Sequence, residues 1–182
     1  SIRKAKVAPG SSLLITGGGP IGIITAQVAK VYGATDIVIT ETNPTRREIA
    51  ARYATECLEP SALGDRTFDN FIDCSGATPA IVDGIHRTRP DGNVVLVGMG
   101  ADTLPLPVGP VTMRELNVTG IFRYTQTWPV AISLLEAGLV DLDSLVTEHY
   151  GLDEVEHALA APVTERGLKR VVRPAERGLG GR

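Results

Sequence analysis

Gly17-Gly18-Gly19-Pro20-Ile21-Gly22 follows the aliphatic run Leu13-Leu14-Ile15-Thr16 and opens into an apolar segment that reaches Tyr32. The pattern is Gly-x-Gly-x-x-Gly. Alone it is a common turn, but between a buried strand and a helix it has a defined use. Gly17 permits the tight turn, Gly19 lets the main chain approach a pyrophosphate, and Gly22 lets helix and strand pack closely. The free amides and the positive end of the helix dipole then face the phosphates.

Outward from that turn, short β-branched runs at residues 13–16, 37–40, 71–73 and 94–97, with a third strand read at 56–58, alternate with helix-compatible segments at 20–32, 45–53 and 79–88. Runs that short, apolar on both faces, are buried parallel strands. The alternation predicts an α/β fold, a doubly wound parallel sheet with helices on both faces, of the Rossmann type. The first helix, carrying Ile21, Ile23, Ile24, Ala26, Val28, Ala29 and Val31 with Gln27 and Lys30 as polar exceptions, is expected to be deeply buried. Asp91-Gly92 predicts a tight turn, and residues 98–110 a Gly/Pro-rich loop. Further strands are expected at 117–124, 145–150 and 169–172, and helices at 128–137 and 153–161. Only nine residues, 59–67, separate the third strand from the fourth, too few for an ordinary crossover helix, so a short turn must serve.

Glu41 ends the second strand nineteen positions after Gly22, close to the spacing of a carboxylate that holds an adenine ribose. A carboxylate there accepts bonds from the ribose hydroxyls and repels a 2′-phosphate, which favours NAD over NADP. Either Arg46 or Arg47 could stack on adenine or attract a 2′-phosphate, or belong to a solvated first helical turn. At the end of the fifth strand, Val97-Gly98-Met99-Gly100 places glycines at a carboxyl edge, on the nicotinamide side. Asp73-Cys74-Ser75-Gly76 ends the fourth strand and reads mainly as a turn.

Composition narrows the function classes. With 182 residues, 43% hydrophobic and 21% charged, the chain suits one well-buried globular domain. A net charge of −3 with scattered Lys and Arg gives no reason to expect nucleic acid. No run of membrane-spanning length and no signal peptide is evident, so a cytoplasmic setting without membrane attachment is expected. Cys57 and Cys74 belong to no CxxC or Cys/His cluster, so no metal site is expected within the chain, and both read as buried small hydrophobes. His86, His149 and His157 read as surface or structural residues. Tyr32, Tyr53, Tyr124 and Tyr150 are followed four places later by Asp36, Cys57, Trp128 and Glu154, so the Tyr-x-x-x-Lys of short-chain dehydrogenases is missing. No Walker lysine or nucleophile elbow occurs either, so no catalytic residue is assigned.

Val7-Ala8-Pro9-Gly10-Ser11-Ser12, the glycine turn, Gly120-Ile121-Phe122-Arg123-Tyr124 and Thr127-Trp128-Pro129-Val130-Ala131-Ile132 make the chain resemble the carboxyl-terminal half of the sorbitol-dehydrogenase-like, zinc-dependent medium-chain alcohol and polyol dehydrogenases. The resemblance spans nearly the whole chain. It implies that Ile21, Glu41, Arg46, Val97, Gly98, Met99, Ile121, Phe122 and Arg123 contact NAD, and that Arg123 and Tyr124 also reach a polyol substrate. It implies hydride transfer from a secondary alcohol to NAD, with zinc held by a preceding domain outside this chain, which alone would be inactive. It divides the chain into a dinucleotide-binding domain at 1–144 and a segment at 145–182 that returns to the catalytic domain, and implies homodimers or homotetramers. Residues 122–124 would then be an edge strand at a subunit contact, instead of or as well as contacting ligands. Two features depart from the family: Glu41 where Asp is commoner, and the short crossover after Cys57. A non-catalytic NAD-sensing module and an S-adenosylmethionine-dependent methyltransferase are the competing readings.

Overall fold

The computed structural model describes residues 1–123, 127–160 and 167–174, apart from Tyr124 to Gln126 and the corresponding gaps near the carboxyl end. The described chain divides into two compact units, Ser1–Asp141 and Leu142–Arg182.

In the first unit the strands are β1 (Ser12–Thr16), β2 (Asp36–Thr40), β3 (Glu56–Leu58), β4 (Phe68–Asp73), β5 (Thr88–Leu96) and β6 (Asn117–Gly120), and the helices α1 (Pro20–Val31), α2 (Pro44–Ala50), α3 (Thr78–His86), α4 (Val108–Met113) and α5 (Trp128–Glu136). The strands pair in parallel in the order β3-β2-β1-β4-β5-β6. That order is the doubly wound Rossmann arrangement, reversing direction between β1 and β4.

Register decides which side chains share a face. Leu14 stands beside Val38 and Phe71, and Phe71 beside Val94, so these four project together. They pack with Ile81 and Ile85 of α3, and with Leu63, Phe68 and Leu116. A Cβ on Gly84 would strike the Phe71 ring, so α3 lies as close as a helix can. The alternate residues, Ile15 among them, face the other way toward α1, where a Cβ on Gly22 would meet Ile15 Cγ2 at 3.5 Å. Helices therefore cover both faces.

Several expectations are corrected. The first helix is not buried all round: Gly22, Ile23, Thr25, Ala26, Gln27 and Ala29 are buried, whereas Ile21 is 53% exposed. Its polar exception Gln27 lies inside because its amide donates to the Asp141 carbonyl (3.0 Å) and accepts from the Asp141 N–H (2.7 Å). The loop at 98–110 gives way to α4 at Val108, since Gly109 and Pro110 sit in a first turn whose N–H groups need no helical partner. The short crossover is a 3₁₀ turn, Pro60–Leu63, which sends Leu63 into the core. Strand β6 stops at Gly120, four residues earlier than expected, because Arg123 adopts φ +57°. The turn at Asp91 (φ +58°) lies inside β5, where residues 89–92 bulge from the ladder between the Phe68–Thr88 and Asn70–Asn93 pairs.

In the second unit β7 (Val146–Gly151) pairs in parallel with β8 (Lys169–Arg173), beside α6 (Val155–Ala160). The expected helix at 153–161 is split, with a 3₁₀ turn at Leu152–Glu154 preceding α6. Arg170 Nε and the Tyr150 hydroxyl both donate to Glu148 Oε2, at 2.8 and 2.7 Å.

Candidate functional site

All six strands of the sheet run the same way, so their carboxyl ends share one edge, the edge where open α/β sheets leave a crevice. The glycine turn leaves β1 there. Gly17 has φ +95° and donates its N–H to the Thr40 carbonyl at 2.8 Å. A Cβ on it would lie 3.2 Å from the main chain of Cys74 and Ser75. A Cβ on Gly22 would collide with the Gly17 carbonyl oxygen. Around Gly19, by contrast, a Cβ would meet nothing within 4 Å. Gly19 is also the N-cap of α1, with extended backbone and no capping side chain, so no side chain competes for the first amides of the helix. Two glycines serve packing and the third faces open space.

Glu41 is 8% exposed and turned into the glycine turn. Its Oε2 accepts from the Gly18 N–H at 2.9 Å, and its Oε1 from the Asn43 N–H at 2.9 Å. Asn43 in turn caps α2 by accepting the Arg46 N–H at 3.0 Å. The two arginines then part company. Arg47 reaches back, Nη1 donating to the carbonyls of Glu41 (2.7 Å) and Thr42 (3.1 Å), whereas the buried Nε of Arg46 has no partner among the described residues.

The loops that follow β4 and β5 are joined to the turn through Asp73. This side chain is fully buried, and Oδ1 accepts from the hydroxyls of Thr16 (2.8 Å) and Ser75 (2.7 Å) and the Ser75 N–H (3.0 Å). The Gly76 N–H reaches Oδ2 at 3.1 Å, and the Asp73 carbonyl accepts from Val97 (2.9 Å) and Gly98 (3.0 Å). A Cβ on Gly98 or Gly100 would strike Gly76, so the two loops touch backbone to backbone. Met99, between them, projects outward, 89% exposed. The Ile121 N–H donates to the Leu96 carbonyl at 3.1 Å, Phe122 is exposed, and the Arg123 guanidinium lies 4.9 Å from the Phe122 ring centre. Tyr124 lies outside the described residues. The sequence reading gave Asp73 no role beyond a turn. Its signal was an acid closing a β-strand just before Ser-Gly.

The thiols are half-buried rather than buried. Burial, with Glu41 nearby and Arg47 opposing, pushes Cys57 up to about 11, and burial pushes Cys74 up to about 12. Both stay protonated at neutral pH. The open space at Gly19, the uncapped helix start and the orphaned Arg46 Nε fit a diphosphate-linked ligand. They do not fit zinc: among the described residues no three His, Cys, Asp or Glu side chains gather to hold a metal ion.

A glycine-turn Rossmann unit of this kind occurs in many enzymes, and the match to known families decides among them. The family model described as zinc-binding dehydrogenase matches residues 20–137. The chain belongs to the zinc-binding dehydrogenase family. Sorbitol dehydrogenase of Homo sapiens is 36% identical over 181 residues, covering 92% of this chain and 50% of the human protein. Sorbitol dehydrogenase of Mus musculus is 32% identical over 185 residues, covering 94% of this chain and 52% of the mouse protein. The chain thus spans about half the length of the curated relatives it matches. Among solved structures, a zinc-binding dehydrogenase of Sinorhizobium meliloti 1021, described as putative and bound to NADP, superposes with TM-score 0.89 at 26% identity over 95% of this chain and 55% of its own. Among the described residues no helix is long and apolar enough to cross a membrane.

Proposed function

We propose that this chain is the NAD-holding half of a dehydrogenase acting on a secondary alcohol or polyol. The observation that carries the reading is the Glu41 carboxylate, held 2.9 Å from the Gly18 amide at the lip of the glycine turn. The first amides of α1 bind the pyrophosphate, with Gly17, Gly19 and Gly22 shaping the turn. Ile21, exposed at the helix start, covers the phosphates. Glu41 takes the adenine ribose hydroxyls and disfavours a 2′-phosphate, and Arg46 lies over the adenosine end. Val97, Gly98 and Met99, with Ile121, Phe122 and Arg123, flank the nicotinamide. NAD held by these residues would supply the hydride acceptor for oxidation of the alcohol.

Arg123 and Tyr124 reach the substrate. Residues 1–144 form the cofactor domain, and 145–182 return to a zinc-bearing half outside this chain. The exposed segment around Phe122 joins a second copy in a homodimer or homotetramer. The test is titration with NADH followed by nicotinamide fluorescence, with S-adenosylmethionine as competitor. Binding is expected for NADH alone. No binding at about 1 mM, a limit near −4 kcal/mol, overturns the reading, as does displacement by S-adenosylmethionine.

A further inference from the structure

The Arg47 guanidinium donates to two successive carbonyls of the loop that carries Glu41. The second carbonyl matters most. Thr42 C=O and Asn43 N–H belong to one peptide unit, which is planar and does not twist. Gripping the Thr42 oxygen at 3.1 Å from one side therefore aims the Asn43 N–H, on the opposite side, at Glu41 Oε1, 2.9 Å away. With Oε1 anchored there, Oε2 is left on the Gly18 amide at 2.9 Å. The Glu41 N–H is held as well, donating to the Leu58 carbonyl at 3.0 Å. Glycine at 18 permits this approach, because a Cβ there would lie 3.0 Å from Glu41 Cβ and 3.3 Å from Ala50 Cβ.

We infer that Arg47 is a positioning residue: by clamping the Glu41 and Thr42 carbonyls it holds the Glu41 carboxylate on the glycine turn, and so sets the preference for NADH over NADPH. The inference rests on the dinucleotide reading above. It separates two adjacent arginines by role, Arg46 facing the ligand and Arg47 acting only through Glu41.

The whole chain is used, with Arg47→Met, which keeps the aliphatic stem and removes the donors, and Arg47→Lys, which keeps a donor and the charge. In Arg47→Met the NADH dissociation constant rises about fivefold, the size of one lost hydrogen bond, while NADPH binding is unchanged or tighter, and Arg47→Lys restores part of the preference. In a Glu41→Gln background Arg47→Met leaves the NADH to NADPH ratio where Glu41→Gln has put it. Without any ligand, hydrogen exchange at the Gly18 amide is faster in Arg47→Met by a similar factor. Weaker NADPH with unchanged NADH would make Arg47 a direct phosphate contact and overturn the inference. Equal weakening of both, no change in either, or an unchanged Gly18 amide overturns it too. If the parent chain binds neither dinucleotide, the proposed function falls, and the Gly18 amide still decides whether Arg47 holds Glu41.

Discussion

At Gly22 the absence of one carbon decides whether the turn exists. A Cβ would enter the carbonyl oxygen of Gly17, which itself sits at φ +95° where other residues are strained. Gly22→Ala is expected to cost ~1–3 kcal/mol, the range for overpacking, measured by urea unfolding, and to abolish NADH binding. Asp73 is the second such position. Fully buried and bonded by Thr16, Ser75 and Gly76, it ties the turn to the loops that follow β4 and β5. Asp73→Ala leaves those donors buried without an acceptor and should destabilise by roughly 2–4 kcal/mol. A loss under ~1 kcal/mol would make the cluster ornamental. The turn at Gly17 and Gly22 and the placement of Glu41 against it were legible because spacing along the chain encodes them. The parting of Arg46 from Arg47 was not legible, since it depends on which guanidinium reaches the loop carbonyls, and neighbouring residues of one type carry no such information.

Among elements, the strands and α1 to α3 were read from periodicity, because each carries an apolar pattern that only one secondary structure buries. Helix α4 escaped because Gly109 and Pro110 are breakers everywhere except in a first turn. Partial exposure of α1 escaped for another reason: Ile21 is as apolar as the buried Ile23 yet half exposed, and hydrophobicity alone does not tell a core position from a surface one. Elements at the far end of the sheet offer a check that function does not enter. There Asp69 accepts from the Ser12 N–H and hydroxyl, both at 2.8 Å, and from Arg89 at 2.8 Å. Burial alone would raise this carboxyl, but those bonds outweigh it and hold it below its usual range. A depressed folded value means stability that is present above the unfolded pKa of about 3.9 and is lost as pH falls through the folded value. Asp69→Asn is therefore expected to unfold less steeply with acid below about pH 4, while NADH affinity near neutrality stays unchanged. An identical acid limb in parent and variant would remove the ion cluster from the account.

For the molecule as a whole, the question is what covers its apolar surface. Phe122 is 74% exposed, Trp128 60% and Ile132 50%, and no described residue of α5 is buried. The edge strand β6 pairs on one side only, with β5, leaving the other side of its ladder open. The second unit has a different shortage. Among the described residues β7 pairs with β8 in a sheet of two strands, which is marginal in water without a covering layer. On the proposed function these exposed apolar faces are the surfaces that further protein would cover. The isolated chain is accordingly expected to self-associate, giving by light scattering a mass that rises with concentration above 19.3 kDa. Phe122→Ser with Ile132→Ser should lower that association without loss of melting temperature, because neither side chain is part of the core. A monodisperse monomer of the parent chain across the same concentrations would mean that these apolar faces tolerate water and need no partner.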